Sequence, residues 1–160
     1  MPTWLKKIIN TFIRPTLEYA SVAWNPHKQK DIKKIERIQR AATRWVPELR
    51  ELSYEERLKA LNLTTLEARR KRGALITLYK CTTGIINIDK EDFIQPGSRR
   101  TRGHSKKLQK KRGKKDVKKY SFPNRFINPW NDLPEHLVSA KNIHQFKKLY
   151  DEMTQADGTS

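Results

Sequence analysis

The stretch at residues 31–46 constrains the fold more than any other part of this chain. Its apolar residues recur every three or four positions, the period of one face of an α-helix: Ile32, Ile35, Ile38, Ala42, Trp45 and Val46. Asp31 suits the positive end of a helix dipole, and Pro47 is expected to end the helix because it lacks an N–H. The sequence therefore predicts a helix whose apolar face needs partners elsewhere in the chain.

Two apolar segments precede that helix. Residues 4–13 form a dense apolar face at helical spacing, and Pro15 is expected to end or restart the helix there. Residues 17–24 are too apolar to face water, so we expect them to lie at the buried centre of a bundle, against the helix at 31–46.

Capping signals define the two helices that follow. Ser53 and Glu56 match a capping box at the start of one helix. Thr64 or Thr65 is predicted to cap a longer helix, which continues to about residue 82 and has Gly84 as its C-terminal cap. The short connections between these helices favour a mainly α fold, a small antiparallel helical bundle.

The composition changes after residue 95. Residues 99–120 carry 12 basic side chains and 1 acidic one, so this segment holds a net +11 of the total formal charge of +18. We predict a helical bundle over 1–95, a basic loop or short β-hairpin over 96–120, and an aromatic cluster with C-terminal helices over 121–160. The expected members of the cluster are Phe122, Phe126, Ile127, Trp130, Leu133 and Leu137, and Asn142 is expected to cap the last helix.

Motifs for catalysis are not found in the sequence. It has no glycine-rich phosphate loop, and its histidines are distant from one another, so we interpret His27, His104, His136 and His144 as surface or capping residues. Cys81 is the single cysteine. We therefore expect no enzymatic activity, no metal, no cofactor and no small-molecule substrate. Without a signal-peptide pattern or a long apolar run, we also expect no membrane association and an intracellular location, in the nucleus or the cytoplasm.

The strong positive charge favours a nucleic-acid partner. Lysine acts as a point charge, so the lysine-rich run predicts contact with phosphates rather than reading of bases. Tyr120 and Phe122 either stack on bases or begin the aromatic cluster. The alternatives for the basic residues are a solvated helix face, a solvated loop or a nuclear-import signal. The candidate nucleic-acid-binding residues are Lys33, Lys34, Arg37, Arg40, Arg44, Arg99, Arg100, Arg102, Lys106, Lys107, Lys110, Lys111, Arg112, Lys114, Lys115, Lys118 and Lys119.

Several pieces of the chain resemble, in the same order, the region just after the palm of non-LTR retrotransposon reverse transcriptases, the jockey-like elements in particular. They are RPTLEYASVAWNP at 14–26 with KDIKKIERIQRAATR at 30–44, LSYEERLKAL at 52–61, TLEARR at 65–70, TRGHS at 101–105 and FINPWNDLP at 126–134. The resemblance covers about residues 5–150.

The resemblance implies a role without catalysis. The polymerases of that family use a pair of adjacent palm aspartates, and this sequence contains no Asp-Asp dipeptide. The matching part corresponds to the thumb and the C-terminal extension, and the thumb of such polymerases is a helical bundle that grips the template–primer duplex. The implied partners are RNA or an RNA–DNA duplex and the missing palm and fingers portion of a reverse transcriptase.

Three hypotheses follow from the sequence. The chain is a fragment of a reverse transcriptase that binds nucleic acid, a stand-alone basic binding or interaction protein derived from such an element, or a relic of a truncated insertion without function. Attachment to an anionic membrane surface ranks below these, because no helix combines a lysine-rich face with a long apolar face.

Overall fold

The structure, a computed structural model, describes residues 3–86, 95–97, 103–110 and 120–157. It confirms the predicted mainly α fold with a short antiparallel hairpin. The chain forms two compact units, Met1–Arg72 and Gly73–Ser160. The predicted boundaries near residues 95 and 120 stay predictions. Among the described residues, no helix has both the length and the apolar character needed to cross a bilayer.

The first unit consists of helices joined by short turns. Along the chain they are α1 (Thr3–Ile8), a π-helical segment (Ile9–Ile13), α2 (Arg14–Glu18), α3 (Ser21–Trp24), α4 (Gln29–Ala42), two 3₁₀ turns (Thr43–Trp45 and Pro47–Leu49) and α5 (Tyr54–Ala60). Helix α6 (Leu66–Thr82) begins in this unit and ends in the second one.

In its described residues, the second unit combines the end of α6 with a small hairpin and three helices. The strands are β1 (Gln95–Pro96) and β2 (Leu108–Gln109), which pair antiparallel with Gln95 opposite Gln109. The helices are α7 (Phe122–Asn131), α8 (Glu135–Val138) and α9 (Ile143–Asp157).

The predicted helix caps are confirmed. The Ser53 hydroxyl accepts a hydrogen bond from the Glu56 N–H, and the Glu56 carboxylate accepts one from the Ser53 N–H, which completes the capping box of α5. The Thr65 hydroxyl accepts from the Ala68 N–H at the start of α6. Gly84 has φ +77° just after the end of that helix, a conformation that suits glycine. At α9 the Asn142 side chain accepts from the Gln145 N–H, 2.9 Å away.

The core of the first unit differs from the prediction in its first segments. Its buried members are Leu5, Ile9, Ala42, Val46, Leu49, Leu58, Leu61 and Leu63. Of the two outcomes predicted for Pro15, the structure shows the restart: α2 begins at Arg14, and Pro15 lies in its first turn, where a missing N–H costs no hydrogen bond. Of the dense apolar face predicted at 4–13, Trp4 is 52% exposed and Phe12 is 68% exposed.

The segment at residues 17–24 does not form the centre of a bundle. Ala20 has a left-handed backbone with φ +48°, which separates α2 from the short helix α3. Two helices this short present no continuous apolar face, so Tyr19 remains 82% exposed and Trp24 42% exposed. The indole N–H of Trp24 donates to the Tyr19 carbonyl, so this segment folds back on itself.

Helix α4 and the turn after it bury only part of the predicted apolar face, with Ala42 and Val46 buried as predicted. The buried residues along α4 and the turn that follows are Gln39, Ala42, Thr43 and Val46. Ile38 is 46% exposed and Trp45 is 58% exposed, although both were predicted to lie on the buried face. The α-helix also ends at Ala42, before the predicted end at Val46, because the chain continues as a 3₁₀ turn.

Aromatic residues form the core of the second unit, as predicted. All six predicted members of the aromatic cluster are buried. Trp130, with no exposed surface, lies 6.1 Å from Phe146, and Phe146 stacks on Tyr79 at 4.5 Å between ring centroids. The Tyr79 hydroxyl donates to the Ala140 carbonyl at 2.7 Å, so the one polar atom of that ring is satisfied.

The hairpin is attached to α7 by polar contacts. The Asn131 side chain accepts from the Leu108 N–H and donates to the Leu108 carbonyl, both at 2.9 Å. These two hydrogen bonds replace the ones that a neighbouring strand would make with Leu108. The indole N–H of Trp130 donates to the Lys106 carbonyl at 2.9 Å. His104 was predicted to lie at the surface or to act as a cap. It is instead 5% exposed, and its Nε2 lies 2.9 Å from the Trp130 carbonyl oxygen, which gives the buried ring nitrogen a polar partner.

Phe146→Ala is expected to lower the free energy of unfolding by roughly 3–5 kcal/mol, because it opens a cavity between Tyr79 and Trp130. Denaturant titration followed by far-UV circular dichroism would measure the change. Lys148→Ala on the same helix, whose ammonium is largely exposed, is the control and should change the value by less than about 0.5 kcal/mol. Equal effects of the two substitutions would contradict this description of the core.

Candidate nucleic-acid interface

Four cations form a row along α4 and the 3₁₀ turn after it. Lys33, Arg37, Arg40 and Arg44 follow at intervals of four, three and four residues, and all of them are exposed. With a rise of 1.5 Å per residue, the row is roughly 16 Å long. We call these four residues the α4 cation row. The fifth predicted residue of this helix, Lys34, is also exposed and lies 3.8 Å from Asp31.

A buried polar network on the opposite side fixes the position of α4. Gln39 has no exposed surface; its amide oxygen accepts from Arg14 Nε at 2.9 Å, and its amide nitrogen donates to the Tyr54 hydroxyl and the Thr64 carbonyl, both at 3.0 Å. Each hydrogen-bonding group of this side chain therefore has a partner. Because the partners come from α2, α5 and the turn before α6, Gln39 ties α4 to three other segments.

Glu36 connects the same network to α6. Its carboxylate accepts a short hydrogen bond from the Tyr54 hydroxyl and bonds from the Leu66 N–H at 3.0 and 3.2 Å. A carboxylate at the first turn of a helix also suits the positive end of the helix dipole. Burial, followed by the hydrogen bond to Glu36, raises the pKa of Tyr54 above the ordinary range of a phenol.

Two buried arginines lie behind the exposed row. Arg14 is 4% exposed and donates to Asn10 at 3.1 Å and to Thr64 at 2.6 Å; its burial, with a smaller effect of Arg69, lowers its pKa to about 10. Arg57 is 2% exposed and donates to the Thr43 hydroxyl at 3.1 Å. Burial lowers the pKa of Arg57 as well, and the nearby positive charges of Arg44 and Arg40 add to this effect.

Positive charge is therefore concentrated near the C-terminal end of α4. The Arg40 guanidinium lies 4.6 Å from the centre of the Tyr54 ring, and the Arg57 guanidinium lies 5.7 Å from it. An aromatic face at these distances attracts cations. The carbonyl end of α4 carries negative partial charge, which also favours cations at this position. Together these contacts hold several guanidinium groups close to one another.

Two grooves border the α4 cation row. The first, of about 610 Å³, has both signs of charge, since Glu36, Glu55 and Glu67 line it together with Lys33, Arg37 and Arg40. The second, of about 480 Å³, is mostly apolar, and its cationic lining residues are Lys34 and Arg37. We call the second one the Trp45 groove; its apolar lining residues are Ile13, Ile38, Ala41, Ala42 and Trp45.

Of the remaining predicted residues, three lie among the described residues of the second unit. Lys106 and Lys107 lie in the second unit and are half-buried, and the Lys106 ammonium donates to the Val138 carbonyl at 2.9 Å, so it stabilises the fold. Lys110 is exposed. Outside the described residues lie Arg99, Arg100, Arg102, Lys111, Arg112, Lys114, Lys115, Lys118 and Lys119.

Of the two predicted aromatic candidates for base stacking, Phe122 belongs to the core. It is 9% exposed, and its ring lies 5.8 Å from that of Phe126. Tyr120 is 36% exposed. The sequence interpretation missed Trp45 as a surface aromatic, because the residue continues the helical apolar period of α4. Its position directly after Arg44 was a signal that could have identified it.

Among the described residues, no group of three or more His, Cys, Asp or Glu side chains is placed to hold a metal ion. Three carboxylates of the first unit have structural contacts. Glu36 caps α6, Glu56 caps α5, and Glu18 pairs with Arg69.

Gln39→Met is expected to lower the free energy of unfolding by about 2–4 kcal/mol, because it leaves Arg14 Nε and the Thr64 carbonyl with fewer partners in a buried site. Urea titration would measure the loss. Gln29→Met, on the exposed surface of the same helix, is the control and should stay within about 0.5 kcal/mol of the wild type. A loss no larger than that of the control would refute the structural role of the network.

Alkaline pH is expected to destabilise the first unit through Tyr54. The phenol of Tyr54 ionises near pH 10 in the unfolded chain but stays protonated at that pH in the folded one. The stabilisation that Tyr54 provides is therefore complete below about pH 10 and is lost as the pH rises toward the folded pKa. The free energy of unfolding should fall more steeply between about pH 10 and 11 in the wild type than in Tyr54→Phe. Tyr19→Phe, at an exposed position, should retain the wild-type slope. Parallel slopes for all three proteins would show that Tyr54 does not contribute.

Comparisons of the chain with protein-family models, curated proteins and solved structures give no match. The features that bear on function are therefore the exposed α4 cation row, the buried network that fixes this helix, and the Trp45 groove beside the row.

Proposed function

We propose that this chain is a non-catalytic nucleic-acid-binding module, the thumb-like C-terminal part of a non-LTR retrotransposon reverse transcriptase, which grips the phosphate backbone of RNA or an RNA–DNA duplex. The observation that carries the proposal is the α4 cation row, which places Lys33, Arg37, Arg40 and Arg44 in one exposed line. The ordered sequence pieces that resemble this part of the family support the same conclusion.

The dimensions of the row suit a nucleic-acid backbone. A duplex carries one phosphate charge per 3.4 Å of axis on each strand, so a row roughly 16 Å long is matched to a few successive phosphates of one strand. Each phosphate that a cation neutralises releases condensed counterions, which favours binding at low salt. The row carries no base-reading geometry of its own, and the proposed contact is therefore independent of sequence.

The rigidity of the row adds to its value as a binding surface. Gln39 and Glu36, on the inner side of α4, are held by several hydrogen bonds, and Arg40 lies over the Tyr54 ring. Cations held in place before binding lose less conformational entropy when they meet phosphates. The total charge of +18 adds long-range attraction, which increases the rate of association with a polyanion.

The proposal is tested with the full chain and a primed RNA–DNA hybrid. Fluorescence anisotropy at several salt concentrations should give a linear fall of log affinity with log salt. The triple variant Lys33→Gln, Arg37→Gln and Arg44→Gln should reduce that slope by roughly 2–3, since each lost phosphate contact removes about 0.9. Tighter binding to the hybrid than to double-stranded DNA of the same length is the result expected of a reverse transcriptase thumb.

A second triple variant controls for net charge. Lys7→Gln, Lys59→Gln and Lys71→Gln removes the same number of charges from exposed positions of the first unit outside the row. Its salt slope should stay near the wild-type value. Equal losses in the two variants would show general attraction by charge and would contradict a specific gripping surface, and the absence of salt-dependent binding would overturn the proposed function.

A further inference from the structure

A second row of residues runs beside the α4 cation row, shifted by one position. Lys34, Ile38, Ala41 and Trp45 follow with the same spacing of four, three and four, and all are exposed. Ile38 is 46% exposed and Trp45 is 58% exposed. Exposed single apolar residues are common, but here two large ones share a groove, to which the half-buried Ile13 adds a further apolar surface. This grouping of exposed apolar side chains in one groove indicates a binding surface.

The charge around this groove limits what can occupy it. Among the described residues that line the Trp45 groove, the charged ones are Lys34 and Arg37, and none is a carboxylate. The groove on the other border of the row differs, because its lining combines three glutamates with three cations and is mixed in charge. The Trp45 groove is thus apolar on its floor and positive at its border, and a complementary ligand has an apolar flat face next to a negative charge.

A nucleotide with an unpaired base has both properties. Its base offers a π-face that stacks on an indole, and its phosphate offers the negative charge that Arg37 or Lys34 attracts. In an intact duplex the base faces are covered by neighbouring bases, so only a single strand, an overhang or a melted end presents them. The groove volume of about 480 Å³ lies within the range of small-ligand sites.

We propose that the Trp45 groove binds an unpaired nucleotide of a single-stranded segment, with its base on the indole of Trp45 and its phosphate at Arg37. This inference rests on the proposed function and extends it, because it assigns to the module a preference for the junction between duplex and single strand. The α4 cation row holds the duplex backbone, and the groove beside it receives the strand that continues unpaired.

The test compares three oligonucleotides of equal length, each with the full chain: a single strand of thymidines, a strand of the same length without bases, and a blunt duplex. At fixed salt, Trp45→Ala should weaken binding of the thymidine strand by about 5- to 150-fold, the range of one base–aromatic stack. Binding of the abasic strand and of the blunt duplex should remain within about twofold of the wild type. Trp45→Phe, which keeps an aromatic ring, should recover part of the loss.

A matched control separates stacking from a general loss of aromatic surface. Trp4→Ala removes another indole of the first unit with a similar exposed fraction, 52%, and should leave all three affinities unchanged. Thermal unfolding of each variant, expected within a few degrees of the wild type, establishes that the fold is retained. The salt slope for the thymidine strand should be the same in Trp45→Ala as in the wild type, because the substitution removes no charge.

The outcomes distinguish this inference from the proposed function. If the wild type binds all three ligands with a steep salt dependence and Trp45→Ala binds them equally well, the groove proposal is overturned while the backbone-gripping function stands. Equal losses for the abasic and thymidine strands would also overturn it. Self-association of the chain that Trp45→Ala abolishes, measured by sedimentation velocity, would assign the groove to a second copy and refute the proposal. No binding of any ligand by the wild type would overturn both.

Discussion

The hydrogen bonds of Gln39 determine how the first unit is assembled. A buried amide without partners would be costly, so the unit folds only in an arrangement that supplies Arg14, Tyr54 and Thr64 at the correct distances. The carboxylate of Glu36 also needs a hydrogen-bond partner, and the Leu66 N–H at the start of α6 provides one. Apolar contacts alone would allow several rotations of α4, since close packing is less directional than hydrogen bonding. The polar network selects one of them.

This choice of rotation produces the candidate interface. With Gln39 and Thr43 facing inward, the exposed side of the helix is occupied by the α4 cation row and by Ile38 and Trp45. The interior also contributes charge, because Arg57 is buried behind the exposed guanidinium groups of Arg40 and Arg44. The carbonyl end of α4 and the Tyr54 ring offset part of the repulsion among these cations.

Much of the fold could be predicted from the sequence because its signals are local. The capping box of Ser53 and Glu56, the Asn142 cap and the aromatic cluster around Trp130 depend on residues a few positions apart or on a clear apolar excess. The segment at 17–24 was different. Its apolar composition predicted burial. The left-handed backbone at Ala20 instead divides the segment between two short helices, and no residue of the second one, α3, is buried. Composition does not contain that information.

The sequence by itself determined that this protein is mainly helical and that 31–46 is a helical stretch with both apolar and cationic residues, because helical spacing is a property of the local chain. Only the tertiary structure decided which side of that helix is buried. The partners of Gln39 and Thr43 are side chains and carbonyls 14 to 25 residues away, and their hydrogen bonds outweigh the burial of Ile38 and Trp45. For that reason Trp45 lies at the surface beside Arg37, where the sequence pattern placed it in the core.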